Sequence, residues 1–308
     1  MSFLRLVSVD GKAQSSVFHW RIKAMATAEE INADMLSFWN GQGGRTWTQR
    51  QAHTDMTLQP VTDALLAFAG PVTGDRVLDV GCGCGASTLD FARAVGPSGR
   101  IVAMDISATM LAVGKARAEA ANLKNIEWQE DDPSTAPLEE YDLLTSAFGT
   151  MFFGDTVAAF TNMREFAAPG ARMAIVCWRS LAENPWMHVP MSAVAPHLPP
   201  RPKAVPNAPG MFAFSDPEYV TYVLTKSGWT TPRFSKLDVN LDIAAGSGLD
   251  QAVEQTTKIG AINSWLRNAP ADVVAAAISS LQSALSVHAD GSKVPLPAAM
   301  WLISSKAA

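Results

Sequence analysis

The feature that most constrains the fold is a short apolar run that ends directly in a loop of alternating glycines. Val77, Leu78 and Val80 are the apolar residues of this run, and the loop, GCGCG, occupies positions 81–85. A continuous apolar run is typical of a strand covered on both faces, and glycines let a bulky ligand approach the backbone. Positions 87–95 have helical spacing, so the free N–H groups of that helix would point at the loop. The sequence therefore predicts a strand, a nucleotide-binding type of loop and a helix in succession.

Apolar runs and stretches of helical spacing alternate along the middle of the chain. The predicted strands are 76–80, 100–105, 125–130, 141–146 and 171–178, and the predicted helices are 86–95, 108–121 and 155–167. This alternation is typical of a mostly parallel sheet with helices on both faces. We therefore expect a Rossmann-like α/β fold, with further strands at 233–241 and 298–304.

Two classes of cofactor fit the glycine loop. Gly81, Gly83 and Ala86 satisfy the dinucleotide fingerprint, with Asp105 at a suitable distance for a ribose contact, so an NAD(P)-dependent oxidoreductase is one alternative. Asp79, two residues before the loop, would add negative charge beside a pyrophosphate. S-adenosylmethionine (SAM) has no phosphate and carries an ammonium group that an acid can orient. The sequence therefore favours SAM, bound either by an enzyme or by a non-catalytic SAM-binding regulator.

Acids end two more of the predicted strands. Asp105 ends the second strand, and Asp131 and Asp132 follow the third. The carboxyl ends of parallel strands meet at one edge of a sheet, where ligands bind. We expect the three acidic positions to contact the amino-acid, ribose and base portions of one ligand.

At this point the chain resembles the class I SAM-dependent methyltransferases, and more closely their quinone-methyltransferase-like, small-molecule branch. The resemblance runs from about position 28 to the end. It rests on the glycine loop and on segments in family order, namely FWNG at 38–41, DISATML at 105–111, YDL at 141–143, SAFGTMFF at 146–153, WR at 178–179, NPW at 184–186 and FAFSDP at 212–217. It implies a seven-stranded, mostly parallel sheet whose last strand is antiparallel beside the fifth, with helices on both faces and a helical cap. It also implies methyl transfer from SAM to a small, partly apolar molecule by in-line displacement, with release of S-adenosylhomocysteine (SAH).

The resemblance also assigns cofactor-binding residues. These are Asp79, Gly81, Cys82, Gly83 and Gly85 at the methionine end, Asp105 at the ribose, Ile106, Asp131 and Asp132 around the adenine, Ser146 and Phe148 beside the sulfonium, and Met110 elsewhere in the cofactor site. Pro133 departs from the family pattern, since it has no N–H to offer the adenine. Either Asp131 takes the acid's role while Asp132 supplies the N–H, or that contact is lost or made through water. Ala147 also departs, because this branch often has a basic residue there.

Methyl transfer from a sulfonium needs alignment and the exclusion of water more than a dedicated catalytic group. Aromatic side chains can provide such a pocket and stabilise the sulfonium. The predicted substrate-binding residues are Trp39, Trp47, Phe152, Trp178 and Trp186. A general base is needed only for an acceptor that loses a proton, and the candidates are His53 and His188.

Composition excludes several other partners. The net charge is −5 and no Lys/Arg-rich run occurs, which argues against a nucleic-acid substrate. No apolar run approaches the length of a membrane span. Three cysteines, two of them in the glycine loop, favour a reducing, cytoplasmic compartment, and no second Cys/His pair completes a metal site.

The chain divides into one expected domain with three additions. Residues 1–24 are expected to be a poorly ordered extension, and 25–308 the methyltransferase domain. Within the domain, 25–70 is predicted to form lid helices over the cofactor. The segment 183–217 contains nine of the 19 prolines and is predicted to be an irregular substrate-binding insert. Residues 247–290 are predicted to form the helical cap.

Overall fold

The computed structural model describes residues 27–201, 205–258 and 260–308. The predicted extension 1–24 lies outside these residues. Seven strands form one sheet with the order β3-β2-β1-β4-β5-β7-β6. Their bounds are β1 Arg76–Val80, β2 Arg100–Asp105, β3 Ile126–Glu130, β4 Tyr141–Ala147, β5 Ala167–Trp178, β6 Arg233–Asp242 and β7 Pro295–Lys306.

The first five strands are parallel, as predicted. β1 lies at the centre, with Val77 beside Ile101 of β2 and Leu143 of β4. These three side chains are fully or almost fully buried, because helices cover both faces of the sheet. The helices that connect the parallel strands are α4 Ala86–Val95, α5 Ala108–Ala120 and α6 Thr156–Glu165.

The last strand in the chain, β7, is antiparallel to both of its neighbours, β5 and β6. Ile303 of β7 pairs with Ile175 on one side and Phe234 on the other. The predicted fold, a mostly parallel seven-stranded sheet whose last strand inserts beside the fifth, is confirmed.

Three helices precede the sheet, where the sequence pattern predicts two, at 28–40 and 49–68. They are α1 Ala28–Asn40, α2 Gln42–Gln49 and α3 Gln51–Ala69. α1 begins with a capping box in which Thr27 and Glu30 satisfy each other's backbone N–H groups. α2 was not predicted, because glycines are poor helix formers. Tertiary packing explains it, since a Cβ on Gly43 would lie 2.4 Å from the Phe38 ring and one on Gly44 would lie 2.1 Å from the Trp39 carbonyl oxygen.

The proline-rich segment contains a helix that the proline density argued against. α7 spans Pro185–Val194, with Pro185 in its first turn and Pro190 inside it. Proline is tolerated in a first turn, where the N–H would have no partner, and the helix is only ten residues long. Further along the chain, α8 is Pro217–Lys226, and the Asp216 side chain caps its N-terminus.

The helical segment between β6 and β7 is also as the spacing predicted. It comprises α9 Gly248–Thr257, α10 Gly260–Leu266 and α11 Ala271–Ser286, with the last interruption at Pro270. Across the described ranges, every helix is too short or too polar to cross a membrane.

Candidate active site

A cavity of about 1400 Å³ opens at the carboxyl ends of β1, β2, β4 and β5. Its walls come from the glycine loop, from α1 to α3, from α7, from the segment 205–216 and from α9 and α10. Sites for one small molecule usually measure about 300–1,000 Å³. The cavity is therefore large enough for a cofactor and a second molecule.

The glycine loop is held in a conformation that favours glycine. Gly81, Gly83 and Gly85 have φ values of +68°, +54° and +80°. A Cβ on Gly81 would lie 2.6 Å from the Cα of Gly149, whereas one on Gly83 would have its nearest contact at 3.9 Å. The backbone is thus packed tightly at Gly81 and is open toward the cavity at Gly83.

Asp105, the last residue of β2, connects the glycine loop to the residues that precede α5. Its two carboxylate oxygens accept hydrogen bonds from the N–H groups of Gly83, at 2.9 Å, and of Ser107, at 2.8 Å. Burial raises the pKa of Asp105 to about 6, although these bonds oppose the increase. Asp105 lines the cavity together with Ile106 and Met110, and can accept further hydrogen bonds from hydroxyl groups.

Asp79 is fully buried and does not line the cavity. Its Oδ2 accepts hydrogen bonds from Thr88, at 2.6 Å, and Ser87, at 3.3 Å, both in the first turn of α4. Burial raises the pKa of Asp79 to about 6. Within the described residues, Oδ1 has no hydrogen-bond partner. The two hydroxyls hold the carboxylate behind the glycine loop, and its predicted contact with the ammonium group of SAM stays a prediction.

The two adjacent acids after β3 have different positions. Asp132 lines the cavity next to Pro133, whereas Asp131 is exposed and does not line it. Asp131 Oδ1 accepts the backbone N–H of Asp132 at 2.8 Å. That N–H is therefore already bonded within the loop, and the geometry favours Asp132 as the acid that faces an adenine.

Arg117 of α5 connects the glycine loop to the lid helices and was not predicted from the sequence. It donates hydrogen bonds to the Cys84 carbonyl and to the Asp55 carboxylate of α3, both at 2.5 Å. The arginine thus fixes α3 against the loop.

Cys82 and Cys84 are buried thiols whose pKa values are raised by that burial.

Two groups of aromatic side chains line the cavity. Trp39 is in edge contact with Trp47 and with Phe152, at centroid distances of 6.2 and 5.6 Å. Phe148 stacks on Trp178 at 4.4 Å, and Trp178 lies 4.8 Å from Trp186. Phe148 has a φ of +66°, which is uncommon for a bulky residue and is stored strain of the kind found at functional sites. We call Phe148, Trp178 and Trp186 the aromatic wall.

The two candidate bases are separated by the fold. His53 of α3 lines the cavity, and its pKa is lowered, first by burial and then by the charge of Arg50. A hydrogen bond with the Ile243 backbone and the charge of Asp242 oppose this decrease. His188 lies in α7 and does not line the cavity, so the structure does not support it as a base.

Most of the predicted residues meet in this one cavity. They are Trp39, Trp47, His53, Gly81, Cys82, Gly83, Asp105, Ile106, Met110, Asp132, Phe148, Phe152, Trp178 and Trp186. The structure does not bring Asp79, Gly85, Asp131, Ser146 or His188 to its surface. Ser146 donates to the Val80 carbonyl and accepts from the Gly149 N–H, and Gly85 packs against Trp128, so both act within the loop structure.

Comparisons with known proteins agree with this geometry. Residues 77–170, from β1 into β5, match the family described as a methyltransferase domain. The chain contains a class I SAM-dependent methyltransferase domain. SAM is the cofactor of this domain, and the crevice fits it because Asp105, which can accept hydrogen bonds from ribose hydroxyls, lies beside the open backbone at Gly83.

The curated relatives match about a third of the chain. The chain is 33% identical over 110 residues to a demethylmenaquinone methyltransferase of Lactococcus lactis, which is 35% of this chain and 43% of that protein. It is 32% identical over 117 residues to the aklanonic acid methyltransferase DauC of a Streptomyces species, which is 37% of this chain and 53% of that protein. The chain thus spans about half the length of these relatives.

Solved structures share the fold of the methyltransferase domain over a longer range. The YcgJ protein of Bacillus subtilis has a TM-score of 0.52 at 15% identity, over 80% of this chain and 97% of its own. A phosphoethanolamine N-methyltransferase of Haemonchus contortus, solved with SAH, has a TM-score of 0.51 at 14% identity, over 92% of this chain and 60% of its own. At these identities the likeness establishes the fold.

Proposed function

We propose that this protein transfers the methyl group of SAM to a small, partly apolar molecule and releases SAH. The observation that carries the proposal is that one cavity contains both a cofactor crevice at the glycine loop and an aromatic wall beside it. The matched relatives are named for quinone and polyketide-acid substrates. The cavity, at about 1400 Å³, exceeds the usual volume of a site for one small molecule, about 300–1,000 Å³, and so leaves room for an acceptor beside SAM.

In the proposed complex, Asp105 accepts hydrogen bonds from the ribose hydroxyls, and Asp132 accepts one from the adenine amino group. Ile106 and Met110 pack on the adenine. The N–H groups of the loop and of α4 face the methionine carboxylate. These contacts place the sulfonium toward Phe148, at the start of the aromatic wall.

Bound SAM supplies a methyl carbon whose bond to sulfur breaks as its bond to the acceptor forms, with the electron pair passing to sulfur. The aromatic wall excludes water and orients the acceptor for an in-line approach. His53 is neutral at neutral pH because its pKa is lowered, so it can accept a proton from a hydroxyl or activated carbon. Acceptors that carry no such proton need no base.

We also propose roles for the segments that flank the methyltransferase domain. Helices α1 to α3 close over the cofactor, and the segments 183–217 and 247–290 form walls around the acceptor. Part of each segment lines the cavity, which supports this assignment. The net charge of −5 supports a small molecule over nucleic acid, and three buried free cysteines support a reducing, cytoplasmic compartment.

Two measurements test the proposed function. Calorimetry should show that SAH binds and that NADH does not, and incubation with SAM and a panel of aromatic metabolites should yield SAH and a product heavier by one methylene. Asp105→Asn should lose SAH affinity, whereas Asp90→Asn should not, because Asp90 pairs with Arg93 outside the cavity. Absence of SAH binding would refute the proposal. Tight SAH binding without any methylated product across the panel would favour a non-catalytic regulator.

A further inference from the structure

Arg50 is a cation that lines the cavity at the junction of α2 and α3. Its Nε donates a hydrogen bond to Oε1 of Gln255 in α9, at 2.6 Å. Among the residues that the structure describes, no carboxylate forms an ion pair with Arg50. Arg117, by contrast, pairs with Asp55.

The surroundings of Arg50 make this lack of an acid costly. Burial lowers its pKa, and Gln255 is itself only 8% exposed. A partly buried charge is stable only when it is paired or well hydrogen-bonded, and Gln255 supplies one neutral acceptor for a group with five N–H donors. The guanidinium therefore retains capacity for an anionic partner.

The charges of the cavity are separated along the sheet. Asp105 is the last residue of β2 and Asp132 follows β3, on the side of the sheet where the cofactor is proposed to bind. Arg50 and His53 belong to the opposite side, since His53 bonds to the Ile243 backbone immediately after β6. β4 and β5, whose ends carry Phe148 and Trp178, lie between these two sides.

Other charged groups near Arg50 already have partners. Lys258 of α9 forms an ion pair with Glu254. Asp242 accepts hydrogen bonds from the N–H groups of Ala244, Gly246 and Val294. Of Arg50 and Lys258, Arg50 is therefore the one without an acidic partner among the described residues, and it is the better suited to bind an external anion.

We propose that the acceptor is an aromatic acid whose carboxylate binds Arg50 while its ring system lies against the aromatic wall. This inference rests on the proposed function and names the substrate class of the same site. A planar guanidinium and a carboxylate form two parallel hydrogen bonds, which fixes orientation as well as adding affinity. Arg50 then holds the acceptor at the end remote from the cofactor's acids and selects anionic over neutral ring compounds.

The test uses a matched pair of probes, 2-naphthoate and 2-naphthamide, with the full chain saturated with SAH. The two have nearly the same shape and differ in charge. Their Kd values are measured by calorimetry and by quenching of tryptophan fluorescence. We expect 2-naphthoate to bind at least about tenfold more tightly than 2-naphthamide, because one charge-assisted hydrogen-bonded pair contributes about that much affinity.

Two variants remove the free charge in different ways. Arg50→Gln deletes the guanidinium, and Gln255→Glu supplies a resident carboxylate beside it without deleting it. Each should weaken 2-naphthoate binding about tenfold and leave 2-naphthamide binding within about twofold. Arg93→Gln changes the net charge equally on a surface helix and should have no effect. Gln255→Glu keeps the test decisive if Arg50→Gln does not fold.

The outcomes separate this inference from the proposed function. Failure of SAH to bind refutes the proposed function itself. Three outcomes with normal SAH binding overturn only the role of Arg50. They are equal affinity for the two probes, no 2-naphthoate binding at millimolar concentration, and a preference for the acid that survives in both variants.

Discussion

The raised pKa of Asp105 predicts that cofactor affinity depends on pH. In the cofactor-free protein burial raises this pKa from 3.8 to about 6. The folded state thus binds the proton more tightly than the unfolded chain does. The stability that Asp105 contributes is therefore greatest at low pH and falls as pH rises through about 6. Above that pH the buried carboxylate costs about 3 kcal/mol relative to an exposed one.

Cofactor binding should reverse part of this cost. Two ribose hydroxyls that donate to the carboxylate stabilise its charged form, so the pKa of Asp105 should fall in the complex. With a free pKa near 6, Asp105 is about one-tenth protonated at pH 7 and about nine-tenths at pH 5. The Kd for SAH should therefore increase about tenfold between pH 7 and pH 5.

The assay is calorimetric titration with SAH at half-unit steps from pH 5 to pH 8. Asp105→Asn should bind SAH weakly and with no inflection near pH 6. Asp79→Asn is the matched control, because Asp79 is buried with a pKa also raised to about 6 but does not line the cavity. That variant should keep the inflection. A flat profile for the wild-type protein, or an inflection that survives in Asp105→Asn, would show that the reasoning about Asp105 is wrong.

Three further substitutions have expected outcomes. Gly81→Ala should lower the free energy of unfolding by at least about 1–2 kcal/mol in urea, because of the positive φ and the clash with Gly149; unchanged stability would contradict the packing argument. His53→Gln should reduce kcat about 100-fold or more for acceptors that lose a proton and leave SAH affinity unchanged, and equal loss for acceptors without that proton would exclude His53 as a base. Arg117→Met should weaken SAH binding and speed amide hydrogen exchange in α3, since the tie to Asp55 is lost; protection equal to that of the wild-type protein would argue against this tie.

The core of the fold could be predicted from the sequence because its signals are local. The apolar run at β1 and its glycine loop specify a buried strand and a sharp turn within nine residues. The alternation that follows leaves few ways to arrange the remaining strands. α2 and α7 could not be predicted from local propensity, because the α2 glycines are packed against Phe38 and Trp39, and α7 has one proline in its first turn and packs against α11.

The site was predicted in part for a similar reason. Side chains at or just after the ends of strands, such as Asp105 and Asp132, are brought together by the sheet itself. The position of Asp79 behind the loop depends on hydroxyl groups eight and nine residues away, and this the strand pattern does not reveal. Arg50 gave no local signal, since its hydrogen-bond partner is 205 residues away in the sequence.

Helix α3 is hydrogen-bonded both on the cofactor side of the cavity and on the side of Arg50. Asp55 is tied through Arg117 to the glycine loop, while Thr57 donates to the Asp242 carbonyl at the end of β6. A rigid helix that is fixed at both places cannot adjust to one bound molecule without altering its contacts with the other. Thermodynamic linkage makes this effect mutual, so the factor by which the methyl donor changes the acceptor's Kd equals the factor by which the acceptor changes the donor's. Retention of SAH after turnover would then depend on how quickly the methylated product leaves.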